Sequence, residues 1–179
     1  MTLKEMKQRV LSLIEEINKD SKYLTDDIDI QEKINYVIDM KQHELARIKK
    51  IAVSDTIKAK EGQEINLYEE FKDFYQLNRI TGVSFDLFDS IVTFEEDGDA
   101  KIYYYKYPTK IDDSTTEDYE FELSRDVLEI MPYGVAADLL KSDVSAQYGQ
   151  VYERAYKDAL SLLDTSTGGV FEIKGGLNV

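Results

Sequence analysis

The sequence predicts an α+β fold: a four-helix core built from two N-terminal and two C-terminal helices, a mainly β insertion between them, and an extended C-terminal tail. Three observations predict it. Apolar residues recur at helical spacing near the start of the chain, at Met6, Val10, Leu13, Ile14 and Ile17. The same spacing returns late, at Val127, Leu128, Met131, Val135, Leu139 and Leu140. Between the two, short β-branched and aromatic runs are separated by glycine-containing turn signals. The expected partition is residues 1–52 for the N-terminal helical half, 53–123 for the β-rich insertion, 124–165 for the C-terminal helical half and 166–179 for the tail.

Each element has a local reason. Thr2 and Glu5 are spaced as a capping box, which opens a helix over residues 3–18. A polar linker, residues 19–27, separates it from a second helix over 30–50. That helix carries an apparent box at Asp29 and Glu32, and a stripe of Ile34, Val37, Ile38, Leu45 and Ile48 in which Lys41 is an imperfection. Arg47, Lys49 and Lys50 complement the dipole at its C-terminus.

In the insertion, residues 56–60 and 64–67 flank Glu61-Gly62-Gln63 and predict a short hairpin. Asn66 and Glu69 are placed to cap a short helix carrying Phe71, Phe74 and Tyr75. Asp97-Gly98 predicts a type I′ hairpin turn that sets Val92 opposite Tyr103 and Thr93 opposite Ile102. Tyr103, Tyr104 and Tyr105 then alternate between faces, so both faces of the sheet are expected to be covered in part.

The third long helix begins at Ser124 and contains Pro132, which predicts a kink or a restart. The last helix carries Tyr148, Val151, Tyr152, Ala155, Ala159, Leu162 and Leu163 and ends near Asp164. Beyond it, Val170, Phe171, Glu172 and Ile173 read as an extended arm between two hinges, Gly168-Gly169 and Gly175-Gly176. Alternating side chains on extended backbone suit strand addition to a neighbour, so these four residues are the predicted interface.

Composition narrows the function. The chain has 36 acidic and 22 basic residues, a net charge of −14. Phosphate binding needs clustered cations, so a specific grip on DNA is not expected. A surface past which DNA slides is compatible with this charge. No apolar run approaches the roughly 20 residues of a bilayer span, and the N-terminus lacks the apolar region of a signal peptide. With no cysteine, thiolate chemistry and disulfides are absent.

His43 is the one histidine and is expected to be a solvated helical residue. The acids at 95–99 fit turn chemistry better than a calcium loop, which needs oxygen ligands spread over about twelve residues. Asp26, Asp27 and Asp29 fit helix capping, and Asp112-Asp113 a polar loop. No catalytic residues, metal ligands or cofactor are predicted, and the chain is expected not to be an enzyme.

Residues 126–143 (DVLEIMPYGVAADLLKSD), with Tyr148-Gly149-Gln150-Val151-Tyr152 and Ala155-Tyr156, resemble a family of phage and prophage virion proteins. Weaker similarity covers residues 23–27, 34–37 and 44–50. The helical plan is similar to that of head–tail connector, or neck, proteins of tailed bacteriophages. That resemblance implies a ring, usually dodecameric, beneath the portal, with DNA passing through unbound. It implies self-assembly, the portal and tail-side neck proteins as partners, and a location in the virion after assembly in the host cytoplasm. The β insertion departs from the smallest connectors. Two alternatives stay open: another virion component, in tail completion or the baseplate, and a soluble binding module that uses the tyrosine-rich β lobe.

Overall fold

The structure of the chain, a computed structural model, describes residues 1–141 and 146–163. It is mixed α+β, with five helices and two small antiparallel sheets among the described residues.

α1 (Leu3–Leu13) starts at the predicted capping box: Glu5 N–H donates to Thr2 Oγ1 at 3.2 Å, and Thr2 N–H to Glu5 Oε2 at 2.9 Å. It ends five residues earlier than the periodicity predicts, because Glu15 adopts a left-handed conformation, φ 61°. Glu16 N–H then donates back to Leu11 O at 2.9 Å, the long-range bond of a Schellman turn. Ile14 and Ile17 therefore pack from the turn beyond the helix.

α2 (Ile28–Ile48) begins two residues before the predicted start. Asp27, not Asp29, is its cap and accepts from Ile30 N–H at 3.1 Å. Asp29 falls in the first turn, where it pairs with Lys33 at 2.5 Å.

The strands depart most from the sequence reading. β1 (Ile51–Ala59), β3 (Phe74–Thr81) and β6 (Gly98–Lys106) form one sheet in the order β1-β6-β3. β2 (Glu64–Asn66), β4 (Phe85–Phe88) and β5 (Ile91–Phe94) form the other, in the order β2-β5-β4. Neither predicted hairpin exists. Residues 56–60 and 64–67 go to different sheets, and so do β5 and β6. Gly98 has no positive φ to make a type I′ turn, and it pairs with Ala59. Its lack of a side chain serves a close approach instead, since a Cβ there would lie 2.8 Å from Val83 Cγ1.

Asn66 caps α3 (Leu67–Glu70) as predicted, through Tyr68 N–H at 3.0 Å. The helix is only one turn long, however, so Phe74 and Tyr75 belong to β3. The inner faces of both sheets meet in a cluster that includes Phe94, Val92, Ile102, Ala100 and Tyr104.

A second cluster forms among the helices. α4 (Arg125–Leu139) runs unbroken through Pro132, so the predicted restart does not occur. α1, α2 and α5 (Ala146–Ser161) each pack against α4. The cluster is not purely helical, because Ile111, Phe121 and Leu123 from the segment after β6 complete it. That segment is held by the N-terminus: Leu3 N–H donates to Tyr119 O at 2.9 Å and Phe121 N–H to Met1 O at 3.2 Å.

The buried face of α5 also differs from the predicted stripe. Tyr156 is 5% exposed, whereas Tyr148, Val151 and Leu162 point to solvent.

Lys41, the imperfection in the α2 stripe, is buried where three helices meet. Its ammonium pairs with Asp138 of α4 at 2.9 Å and with Glu44 at 2.7 Å, and lies 4.8 Å from the ring centroid of Tyr156 in α5. Tyr156 in turn donates to Glu44 Oε1 at 2.9 Å. Gly134 permits this approach, since a Cβ there would lie 2.9 Å from Lys41 Cδ and 3.0 Å from the Tyr156 ring. Burial lowers the Lys41 pKa, but its hydrogen bonds and charge partners outweigh that and raise it. Burial likewise raises Asp138, and the bonds from Lys141 and Lys41 outweigh it, leaving the carboxyl below its ordinary value.

Two predictions follow from the helical cluster. Leu128→Ala removes a buried side chain and is expected to cost about 2–5 kcal/mol in chemical denaturation. Leu139, only partly buried, should cost less on the same substitution, and equal losses would contradict this packing. Asp138→Asn removes a charge partner of Lys41 and is expected to cost roughly 1.5–3 kcal/mol at neutral pH. Because the folded Asp138 pKa is depressed, its contribution is full above the unfolded carboxylate pKa of about 4 and is lost as pH falls through the folded value. The wild-type melting temperature should therefore fall more steeply on acidification than that of Asp138→Asn.

Candidate functional site

The residues that sequence singled out for chemistry have structural employment. His43 is half-buried rather than solvated. Its Nδ1 lies 2.9 Å from Asp39 O, and its ring stacks on Tyr107 with centroids 6.1 Å apart. The acids at 95–99 cap neighbouring turns: Asp97 Oδ1 accepts from Glu61 N–H and Glu96 Oε1 from Ser84 N–H, both at 2.7 Å. Asp26 accepts from Asn18 Nδ2 at 2.6 Å, and Asp112 Oδ1 accepts from the Ser114 amide and hydroxyl. Hydrogen bonds of this kind hold Asp112 below the ordinary carboxylate range. No group of three or more potential metal ligands exists among the described residues, and no helix there is long and apolar enough to cross a membrane. The predicted arm, Val170, Phe171, Glu172 and Ile173, and its hinges Gly168, Gly169, Gly175 and Gly176 lie outside the described residues.

What the fold does assemble are surfaces. On β6 the alternation places Tyr104 inward, with its hydroxyl donating to Asp55 Oδ2 at 3.0 Å. Burial, and then Asp55, push that phenol's pKa up. Lys101, Tyr103 and Tyr105 face outward instead. Arg79 of β3 lies 4.4 Å above the Tyr103 ring with Lys101 5.0 Å away, and Lys50 lies 4.9 Å from the Tyr105 ring. The Lys101 ammonium at the Tyr103 hydroxyl lowers that phenol's pKa. Register brings Ser54 and Arg79 beside Tyr103 from either side, so these groups form one face across three strands. The sequence singles out the tyrosine-rich β lobe, but not the cations gathered on this face. Its signal was the spacing of Lys101, Tyr103 and Tyr105, two residues apart, but the false hairpin register hid the partners.

Two further surfaces expose apolar groups. An open groove of about 1040 Å³ runs between α1 and α4, with Leu13, Phe121, Leu128 and Pro132 among its lining and Lys19, Arg125, Glu5 and the Arg9–Glu129 pair along it. At the β4–β5 turn, Phe88 is 79% exposed. It pairs across the turn with Ile91.

No family model matches the chain, and no curated protein matches it.

The tyrosine face yields one prediction. Lys101→Ala should raise the Tyr103 pKa toward the ordinary phenol value, because Lys101 is the main cause of its depression. Ultraviolet titration of wild type and variant, with Tyr103→Phe to identify the transition, checks it. An unchanged early phenol transition would contradict this geometry.

Proposed function

We propose that the chain is a head–tail connector of a tailed bacteriophage, a non-catalytic neck protein that assembles into a ring below the portal. One observation carries the reading: the segment with the resemblance, residues 126–143, supplies α4, the helix against which α1, α2 and α5 pack. The resemblance thus falls on the centre of the helical unit rather than on a peripheral loop. In this reading the helices are the four-helix connector core, and the β lobe is an added contact surface. The partners are further copies of the chain, the portal and tail-side neck proteins, and the assembled protein resides in the virion. The acidic chain, with its net charge of −14, suits a wall past which DNA moves without being held. The tail residues Val170, Phe171, Glu172 and Ile173 supply an arm that adds a strand to a neighbour.

Deleting the gene from the phage that carries it tests the role. DNA-filled heads and separate tails in electron micrographs are expected, and normal joined particles would overturn the connector reading. Removing only residues 168–179 is expected to leave the purified protein folded by circular dichroism while blocking head–tail joining in complementation.

The outward tyrosine face of β1-β6-β3 favours a second reading, a binding module that takes a ligand on Tyr103 and Tyr105. A glycan and acidic-peptide array distinguishes it. Binding that disappears in Tyr103→Ala, together with a gene deletion that leaves virions joined, would favour the module.

A further inference from the structure

The exposed hairpin tip and the open groove are complementary. Phe88 and Ile91 are cross-strand partners on β4 and β5, so their side chains share one face of the hairpin. They are 79% and 39% exposed, and Leu87 is 42% exposed. Val92 and Phe94 of β5 are fully buried, so this sheet needs no apolar residue at Phe88 for its own core. An apolar tip on a surface this rich in charge marks a contact site. The tip is also rigidly presented: Asp89 turns the chain with φ 55°, and Ser90 O accepts from Leu67 N–H of α3 at 2.9 Å. Two carboxylates, Asp86 and Asp89, flank Phe88 and are exposed.

The groove has the converse character. Its apolar floor comes from α1, α4 and the segment before α4, through half-buried Leu13 and the buried Phe121, Leu128 and Pro132. Its polar lining carries Lys19 and Arg125 against Glu5, beside an Arg9–Glu129 ion pair of 2.7 Å. A local cationic surplus in a chain of net charge −14 attracts an acidic segment. About 1040 Å³ accommodates an aromatic and an aliphatic side chain together. Phe88 cannot be seated in the groove of its own chain while it is 79% exposed.

We propose that the occupant is a second copy of this chain, whose β4–β5 tip inserts Phe88 and Ile91 into the α1–α4 groove while Asp86 and Asp89 meet Lys19 and Arg125. The two surfaces are different patches of one chain, so the contact is head-to-tail. Repetition of such a contact closes into a ring when the rotation allows it. Phe88 serves as the aromatic anchor, and the charges set orientation and approach. The inference rests on the connector reading for its biological use, but its physical content is a self-contact that stands or falls separately.

The absence of cysteine makes disulfide trapping clean. Asp89→Cys and Ser12→Cys, the latter in the groove lining, are prepared as separate proteins, mixed at the highest concentration they tolerate, and oxidised. A mixed disulfide between the two is expected, with little homodimer of either alone. Adding Phe88→Ser to the Asp89→Cys protein should reduce the mixed product at least tenfold without changing its circular dichroism or melting temperature. Lys19→Glu with Arg125→Glu should weaken trapping, and Asp86→Lys in the partner should restore part of it. Mixed product no greater than that from Asp89→Cys with an exposed control, Lys60→Cys, would overturn the proposal. Homodimer of Asp89→Cys alone would replace it with a tip-to-tip contact. Either failure leaves head–tail joining to be decided by the gene deletion.

Discussion

The helical half of the molecule is organised around one buried cation. Lys41 lies on the face of α2 that turns toward α4, and at 6% exposure its ammonium has lost most of its water. Burying such a charge costs several kcal/mol unless partners replace the hydration. Here Glu44, Asp138 and the Tyr156 ring do so from α2, α4 and α5. Those partners satisfy the charge only in one mutual arrangement of the three helices. Apolar packing alone tolerates sliding by a turn, because aliphatic side chains are interchangeable. A charge that needs two carboxylates within hydrogen-bond distance does not. Gly134 belongs to the same constraint, since any side chain there would push the lysine stem and the tyrosine ring apart.

A second polar junction fixes the β lobe to the helices. Lys106, at the end of β6, bonds Glu122 at 2.5 Å and Asp73 at 3.2 Å. Beyond it, Thr109 N–H donates to Glu122 at 2.8 Å, and Thr109 O accepts from Gln42 of α2 at 2.8 Å. Ile111 N–H then donates to Asp39 of α2 at 2.8 Å. The chain leaving the sheet is thus pinned to α2 along successive residues before Ile111 enters the helical cluster. Backbone groups that no sheet or helix satisfies are satisfied here by side chains of the opposite lobe, which makes the lobe a fixed projection rather than a tethered one. A fixed projection is what a tip-in-groove contact requires, because an anchor held in place loses little further entropy on docking.

The distribution of exposed groups follows from this architecture. With Tyr104 committed to the interior, Tyr103 and Tyr105 must face out, and cations from all sides of the sheet shelter their rings. With Phe94 and Val92 filling the space between the sheets, Phe88 has no interior to enter. An acidic protein therefore presents a cationic aromatic sheet face, an apolar hairpin tip and a groove of mixed polar and apolar lining, three surfaces of unlike chemistry on one chain. Unlike surfaces favour directional contacts over symmetric ones.

The sequence by itself determined what is local. The Thr2–Glu5 box, the Asn66 cap, the existence of the long helices and the inward-outward alternation of Tyr103, Tyr104 and Tyr105 all depend on residues within a few positions of one another. Propensity and period therefore carried them. Even there, helix ends slipped where a residue outside the pattern intervened, Glu15 through its left-handed backbone and Asp27 through a side chain that caps earlier than Asp29. Only the tertiary structure decided which strands pair. Asp97-Gly98 has the composition of a tight turn, but β6 gains two partners, β1 and β3, by running through the middle of its own sheet, whereas the predicted hairpin would have given it one. Nonlocal backbone pairing and the burial of Ala100, Ile102 and Tyr104 outweighed a two-residue preference. Lys41 shows the same division: its sequence position reads as a flaw in an apolar stripe, because besides its neighbour Glu44 the acid and the ring that justify it, Asp138 and Tyr156, lie on other helices far along the chain.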